Sequence, residues 1–195
     1  MKNFTRLVLA SVLTLGLFAS AHAAVETYSI DPVHSSAGFT LRHMISNFTG
    51  SFTKVTGTIT VDRENLEKSS VVASIDVGSI NTANDKRDAH VKSPDFFDFP
   101  KFSAMTFKSK SWKKTGEDTY DVTGDLTIKD ITKEVVLKVT SLGFGPGMKP
   151  GTALSGWEAT TKIKKSDFGL AGPSFLDKAL GDEVSVTIGV EADKI

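Results

Sequence analysis

Three residue types that occur in nucleophilic enzymes lie close together near the start of the chain. Asp31, His34 and a serine, Ser35 or Ser36, could act as acid, base and nucleophile in a hydrolysis. A catalytic triad is defined by geometry, however, and these residue types are also common where a strand begins. An aspartate followed by proline is equally typical of a turn that the aspartate caps. We therefore expect a turn here, and we assign no catalytic residue.

The histidines do not form a metal-binding motif. His34 and His43 are nine residues apart. On an unbroken strand they face opposite sides, so they could share a metal ion only across a bulge. His90 lies in a different element, and the chain has no His-x-x-x-His pair and no carboxylate-rich loop. The sequence therefore predicts neither a metal site nor a cofactor.

A second polar group is formed by Arg87, Asp88 and His90 within a predicted helix. Arg87 and His90 are three residues apart, so they share a helix face. Because a guanidinium group suits phosphate or carboxylate, this face could hold the polar head of a ligand. The alternative is that Arg87 and Asp88 only attach the helix to neighbouring strands. We favour that structural role for Asp88 and the head-group role for His90.

The composition excludes several classes of protein. Without cysteine the chain cannot be a disulfide scaffold, a zinc ribbon, an iron–sulfur protein or a thiol enzyme. Its 23 Lys and Arg residues are balanced by 23 Asp and Glu residues, whereas a general nucleic-acid-binding protein needs a basic excess. The hydrophobic content of 39% and the length of 195 residues suit one folded domain.

The N-terminal segment has the pattern of a cleavable export signal. Lys2 and Arg6 precede an uncharged, mostly apolar run, Leu7 to Ala19. This run is too short to span ~30 Å of hydrocarbon comfortably. An Ala-His-Ala triplet ending at Ala23 then predicts cleavage between Ala23 and Ala24.

Cleavage would leave residues 24–195 as one periplasmic domain with no membrane span. An uncleaved anchor is the alternative, and we disfavour it because the apolar run is short. Removal of the basic leader gives the mature chain a slight negative charge.

The rest of the chain has the two-residue hydrophobic period of β-strands. The run from Val184 to Val190 alternates aliphatic residues with small or polar ones. Further runs with this period lie at 39–43, 55–61, 71–77, 105–107, 120–128, 135–139 and 157–163. Short turns at 115–118 and 129–130 join successive runs, which predicts antiparallel pairing. About eight such strands form either a sandwich or a closed barrel.

One segment departs from the strand pattern. Thr82, followed three residues later by Asp85, predicts the N-cap and capping box of a short helix. Pro94 ends this helix, because the residue before a proline avoids the helical region. Four phenylalanines follow: Phe96, Phe97, Phe99 and Phe102. Their rings either form a lid at one end of a barrel or simply close a packed core.

Several short motifs occur in a fixed order along nearly the whole mature chain. They are Tyr28–Asp31 with His34-Ser35, Phe39, His43, Ser79–Thr82, Arg87–Ser93, Asp95–Asp98, Phe102, Thr106–Ser109, Gly124–Ile128, Thr132-Lys133 and Lys164–Gly169. In order and spacing they resemble the YceI-like family of exported bacterial proteins. The departures are small: Asp130, Val91 and Lys165 stand where the family often has glycine, leucine and arginine.

The resemblance implies an all-β fold: an eight-stranded antiparallel lipocalin-like β-barrel with one short helix after the fourth strand region. Family members are associated with polyisoprenoid-type ligands, including quinone-like molecules and related lipids. The implied function is periplasmic binding, transport or sequestration of such a lipid inside the barrel, without catalysis. An elongated barrel could also pair as a homodimer, although the sequence carries no signature of one.

Strand parity selects the residues that would line the interior of such a barrel. These are Phe39, Leu41, Ile59, Ile75, Met105, Phe107, Leu126, Leu137, Trp157 and Ile188. The head-group candidates are His43, Arg87 and His90.

Two alternatives to lipid carriage follow from the same residues. One is an enzyme acting on a lipid, which needs His34 within hydrogen-bond reach of Asp31 or Ser36. The other is a solid-core structural or stress protein, which would have no cavity of the ~300 Å³ or more that ligand sites usually occupy.

Overall fold

Alternating apolar and polar residues give eleven β-strands in the computed structural model, which describes residues 25–195. The strands are β1 (Glu26–Ile30), β2 (Ser36–His43), β3 (Ser46–Phe52), β4 (Val55–Val61), β5 (Ser70–Asp76), β6 (Ile80–Asn81), β7 (Ala104–Lys114), β8 (Thr119–Ile128), β9 (Ile131–Pro146), β10 (Ala153–Lys164) and β11 (Leu180–Lys194). The expected export signal and its cleavage site at Ala23 and Ala24 lie outside the described residues.

Six of these strands combine in pairs, so that the sheet contains eight long strands. β1 and β2 both pair with the same edge of β11, and β4 and β3 lie on their other side. β5 and β6 continue one another next to β4 and β3. All pairs are antiparallel, and the β1–β11 pairing closes the sheet on itself. The eight-stranded antiparallel barrel is therefore confirmed, and the sandwich is excluded.

The break between β1 and β2 is held by hydrogen bonds to Glu191. The Asp31 backbone N–H donates to the Glu191 carbonyl at 2.9 Å. The Ser35 hydroxyl also donates to that carbonyl and accepts from the Glu191 N–H, both at 3.2 Å. These bonds let the chain bend while both strands remain paired with β11.

One end of the barrel is filled by aromatic side chains, which we call the aromatic base. Its members are Tyr28, Trp112, Tyr120, Phe144 and Trp157. The Trp157 ring centroid lies 5.6 Å from those of both Trp112 and Phe144, in edge-to-face contact. Such pairs add about 0.5–1.5 kcal/mol beyond the area they bury. This packing closes that end of the barrel.

A short helix, α1 (Asp85–Lys92), lies at the other end, between β6 and β7. Its N-cap is Asn84, whose side chain accepts from the Arg87 N–H at 3.0 Å. The prediction of Thr82 as N-cap was wrong, because the Thr82 hydroxyl is bonded to the Asp88 carboxylate instead. The helix ends before Pro94, as predicted. No helix within residues 25–195 is long and apolar enough to cross a membrane.

The phenylalanines after α1 divide between the two roles left open by the sequence. Phe96 and Phe97 line the interior of the barrel, and the Phe97 ring packs edge-on against Phe52 at 5.5 Å. Phe99 packs instead against the backbone of Gly78, where a Cβ atom would lie 2.9 Å from the ring. Phe96 and Phe97 thus form part of the cavity wall, whereas Phe99 belongs to the packed core.

Asp88 joins α1 to the barrel, so its removal should destabilise the fold. Its carboxylate accepts from the backbone N–H of buried Thr82 at 2.9 Å and from the Thr82 hydroxyl. We expect Asp88→Ala to lower the free energy of unfolding by about 1–3 kcal/mol, because a buried donor loses its acceptor. Urea unfolding measures this. Asp85→Ala, at an exposed carboxylate of the same helix, is the matched control, and an equal loss in both variants would contradict the assignment.

Candidate ligand-binding cavity

The barrel encloses a cavity of about 590 Å³. Its wall is formed mainly by aliphatic and aromatic side chains from the inner faces of the strands. The volume lies within the roughly 300–1,000 Å³ typical of small-molecule sites. The interior of the barrel is therefore not solid, and the solid-core alternative is wrong.

All ten residues selected by strand parity line this cavity. They are Phe39, Leu41, Ile59, Ile75, Met105, Phe107, Leu126, Leu137, Trp157 and Ile188. Parity succeeds because a strand has only two faces and a closed barrel turns one of them inward. That these side chains contact a ligand stays a prediction.

The cavity opens at the end opposite the aromatic base. Its lining there includes His43, Ser46 and Asn47, which are exposed to solvent. At the other end it is bounded by Trp112 and Trp157, which are buried. A ligand would therefore enter at the turn between β2 and β3, which we call the mouth.

The three head-group candidates line the cavity, and two of them already have protein partners. The Arg87 guanidinium donates to the Thr82 hydroxyl at 2.9 Å and lies 4.3 Å above the Phe48 ring. His90 Nε2 lies 2.8 Å from an Asp95 carboxylate oxygen. Arg87 therefore helps to attach the helix, as the structural alternative proposed, while His43 is exposed at the mouth.

Lys165 is a cavity residue that the sequence analysis did not select. Its side chain lines the cavity, is only 8% exposed, and donates from Nζ to the Ala171 carbonyl at 3.1 Å. Among the described residues no aspartate or glutamate lines the cavity, so Lys165 and Arg87 give the wall a positive charge. Strand parity is the sequence feature that could have indicated Lys165, because it lies two residues after Ile163, which also lines the cavity.

Comparison with known proteins identifies the family. The sequence model of the YceI-like domain matches residues 28–192. The chain belongs to the YceI-like family. Protein YceI of Salmonella arizonae is 35% identical over 196 aligned positions, covering 97% of this chain and 96% of that protein.

Solved structures of similar proteins show the same barrel. The YCEI protein of Campylobacter jejuni is 33% identical, with a TM-score of 0.68 over 77% of this chain and 87% of that one. A domain of Saccharophagus degradans, described as polyisoprenoid binding, is 18% identical. It superposes with a TM-score of 0.66 over 86% of this chain and 98% of its own. At that identity the likeness concerns the fold.

The Asp31 and His34 pair lies outside the cavity wall. His34 Nδ1 is 2.6 Å from an Asp31 carboxylate oxygen and 3.7 Å from one of Glu191, a residue whose proximity the sequence did not indicate. Ser35 is buried and its hydroxyl is bonded to the Glu191 backbone, while Ser36 is exposed. The acid–base half of a triad therefore exists, but no hydrogen bond joins it to either serine, and none of these residues faces the cavity.

Contact with the Asp31 carboxylate raises the pKa of His34 above its usual 6.5. The pKa of Asp31 is lowered, first by the hydrogen bond from the Val33 backbone N–H and then by His34. A raised histidine pKa means that protonation favours the folded state. The stabilisation from the His34–Asp31 pair is fully present below the pKa that His34 has in the unfolded chain. It is lost as the pH rises through the pKa of His34 in the folded protein.

Asp31→Asn should therefore return the His34 pKa towards 6.5, as measured by NMR titration of the imidazole. The stability difference between wild type and variant should shrink as pH rises through the wild-type His34 pKa. His34→Asn is the control, since it should remove this pH dependence. An unchanged His34 pKa in the Asp31→Asn variant would show that the carboxylate does not set it.

Proposed function

We propose that this protein binds a long-chain polyisoprenoid or related amphiphilic lipid, such as a quinone-like molecule, inside its barrel. The observation that carries the proposal is the apolar cavity of about 590 Å³. We further propose that the export signal is removed and that residues 24–195 carry or sequester the lipid in the periplasm.

The physical basis of this binding is the transfer of a hydrocarbon chain out of water. Each buried CH₂ group contributes ~0.8 kcal/mol, so a tail of many carbons binds with few polar contacts. The wall matches this need, because aliphatic and aromatic groups make up most of it. The relative described as polyisoprenoid binding has the same fold, which supports this ligand class.

Binding without catalysis is the form of the proposal that the geometry supports. The Asp31 and His34 pair is the acid–base pair on which the enzyme hypothesis rested, and it does not line the cavity. A lipid tail inside the barrel would therefore not meet it.

Filling part of the cavity should weaken lipid binding. Ala159 faces the cavity, whereas the next residue of β10, Thr160, is exposed. Ala159→Phe should weaken uptake of an isoprenoid at least about tenfold, because it excludes two or more CH₂ groups worth ~0.8 kcal/mol each. Native mass spectrometry of gently purified protein, followed by organic extraction, measures the bound lipid.

Thr160→Phe is the matched control, since it adds the same ring to the outer face of the same strand. It should retain the co-purified molecule, and thermal unfolding should show that both variants remain folded. Wild-type protein that is repeatedly empty and takes up no isoprenoid analogue would refute the proposed function.

Lys165 should make the site prefer ligands with an anionic head. We expect wild-type protein to bind geranylgeranyl phosphate more tightly than geranylgeraniol, because the cavity wall has cations and no carboxylate. Lys165→Met should lower the ratio of the affinities for the phosphate and the alcohol at least about tenfold, because a hydrogen bond to a charged group contributes about 1.5–3 kcal/mol. Fluorescence competition with both lipids measures it.

Lys164→Met removes the same charge from the exposed neighbouring position and is the control. It should leave the preference intact. Equal loss in both variants would mean that overall charge, rather than the buried ammonium group, causes the preference.

A further inference from the structure

Three large apolar side chains are exposed at the mouth end of the barrel. Met44 and Ile45 form the turn between β2 and β3 and are 60% and 90% exposed, and Phe175 is 75% exposed. Soluble proteins bury most such side chains, so a group of them at one place indicates an interaction site.

The two segments that carry these residues also form the mouth. The Met44 N–H donates to the Ala179 carbonyl at 2.7 Å, and His43 pairs with Leu180. His43, Leu176 and Leu180 line the cavity. The exposed apolar surface is therefore continuous with the cavity wall.

Met44 and Ile45 are not the residues that would make this turn most stable. Met44 has a φ angle of 50°, a left-handed conformation that glycine or asparagine adopts at little cost and other residues disfavour. Two-residue hairpin turns accordingly favour Gly and Asn. A methionine and an isoleucine, exposed and in a strained turn, stabilise neither the turn nor the core. Their side chains are available for contact with another surface.

The charges around these residues favour an anionic partner. Residues 42–47 and 174–180 contain Arg42 and Lys178 against the single carboxylate of Asp177. The next two carboxylates along β11 already have partners, since Asp182 accepts from the Ser166 N–H and hydroxyl and Glu183 is paired with Lys162. The cavity behind them contributes Arg87 and Lys165 and no carboxylate. Apolar side chains surrounded by cations match a phospholipid bilayer, in which acyl chains lie beneath phosphate groups.

We propose that the mouth surface, Met44, Ile45 and Phe175 with Arg42 and Lys178, docks onto an anionic phospholipid bilayer. Docking would place the mouth against the bilayer, so that a lipid passes into the cavity without crossing water. The inference rests on the proposed function for its purpose, but the docking itself is measured separately.

Co-sedimentation with vesicles of phosphatidylethanolamine and phosphatidylglycerol tests the docking. The double variant M44G/I45N replaces the tip with residues that suit the turn, so it should fold at least as stably as wild type. It should partition into vesicles at least about tenfold more weakly, because two apolar side chains no longer insert. F175S should also weaken partitioning into the vesicles.

The matched control is L142N/M148N, which removes two exposed apolar residues at the opposite end of the barrel. It should bind vesicles as wild type does. Binding should also weaken on phosphatidylcholine vesicles and at high salt, because the electrostatic part is lost. If M44G/I45N sediments like wild type, or if the tip mediates only self-association of the protein in ultracentrifugation, the proposal is overturned.

A fluorescent isoprenoid analogue, offered either free or within vesicles, separates this inference from the proposed function. M44G/I45N should take up the free analogue normally and acquire it more slowly from vesicles. Equal rates from vesicles for wild type and variant would refute docking while leaving the cavity function in place. If wild type takes up the analogue from neither source, the cavity function fails, whatever the vesicle sedimentation shows.

Discussion

Closure of the sheet through β11 is the constraint on which the rest of the structure depends. One edge of β11 pairs with β10, and its other edge pairs with both β2 and β1. This double pairing gives both edges of β11 a partner and closes the sheet on itself, while β6 pairs only with β3. It also requires the bend at residues 31–35, which explains why Ser35 is buried there and bonded to the Glu191 backbone.

An eight-stranded barrel is at the size where side chains can either fill the interior or leave room for a ligand. This chain does both, at opposite ends. The aromatic base packs one end tightly, whereas the inward-facing side chains of the rest of the barrel leave a cavity that opens towards the mouth. The same asymmetry places α1, Lys165 and the exposed turn at Met44 around the open end, so the charged side chains that line the cavity lie there.

The proposed function of this barrel rests on the shape and polarity of the cavity rather than on reactive groups. The cavity wall is apolar, its charged members are cations, and the Asp31 and His34 pair lies outside it. Arg87 illustrates how a residue can serve both structure and site. Its guanidinium secures Thr82 and covers Phe48, yet it also faces the cavity.

The sequence by itself determined most of the strands, but not β1, β3 or β6, and it determined ten inward-facing residues and the family resemblance. Parity works because a two-residue period leaves only two faces from which to choose. The sequence could not determine the helix cap, since Thr82 is bonded to Asp88 only once α1 has folded against β6. It did not indicate Lys165, whose importance depends on the absence of carboxylates from the rest of the cavity wall. Which end is closed and which is open was decided by tertiary structure alone, because strand order in the ring brings together aromatic residues that are distant in the chain.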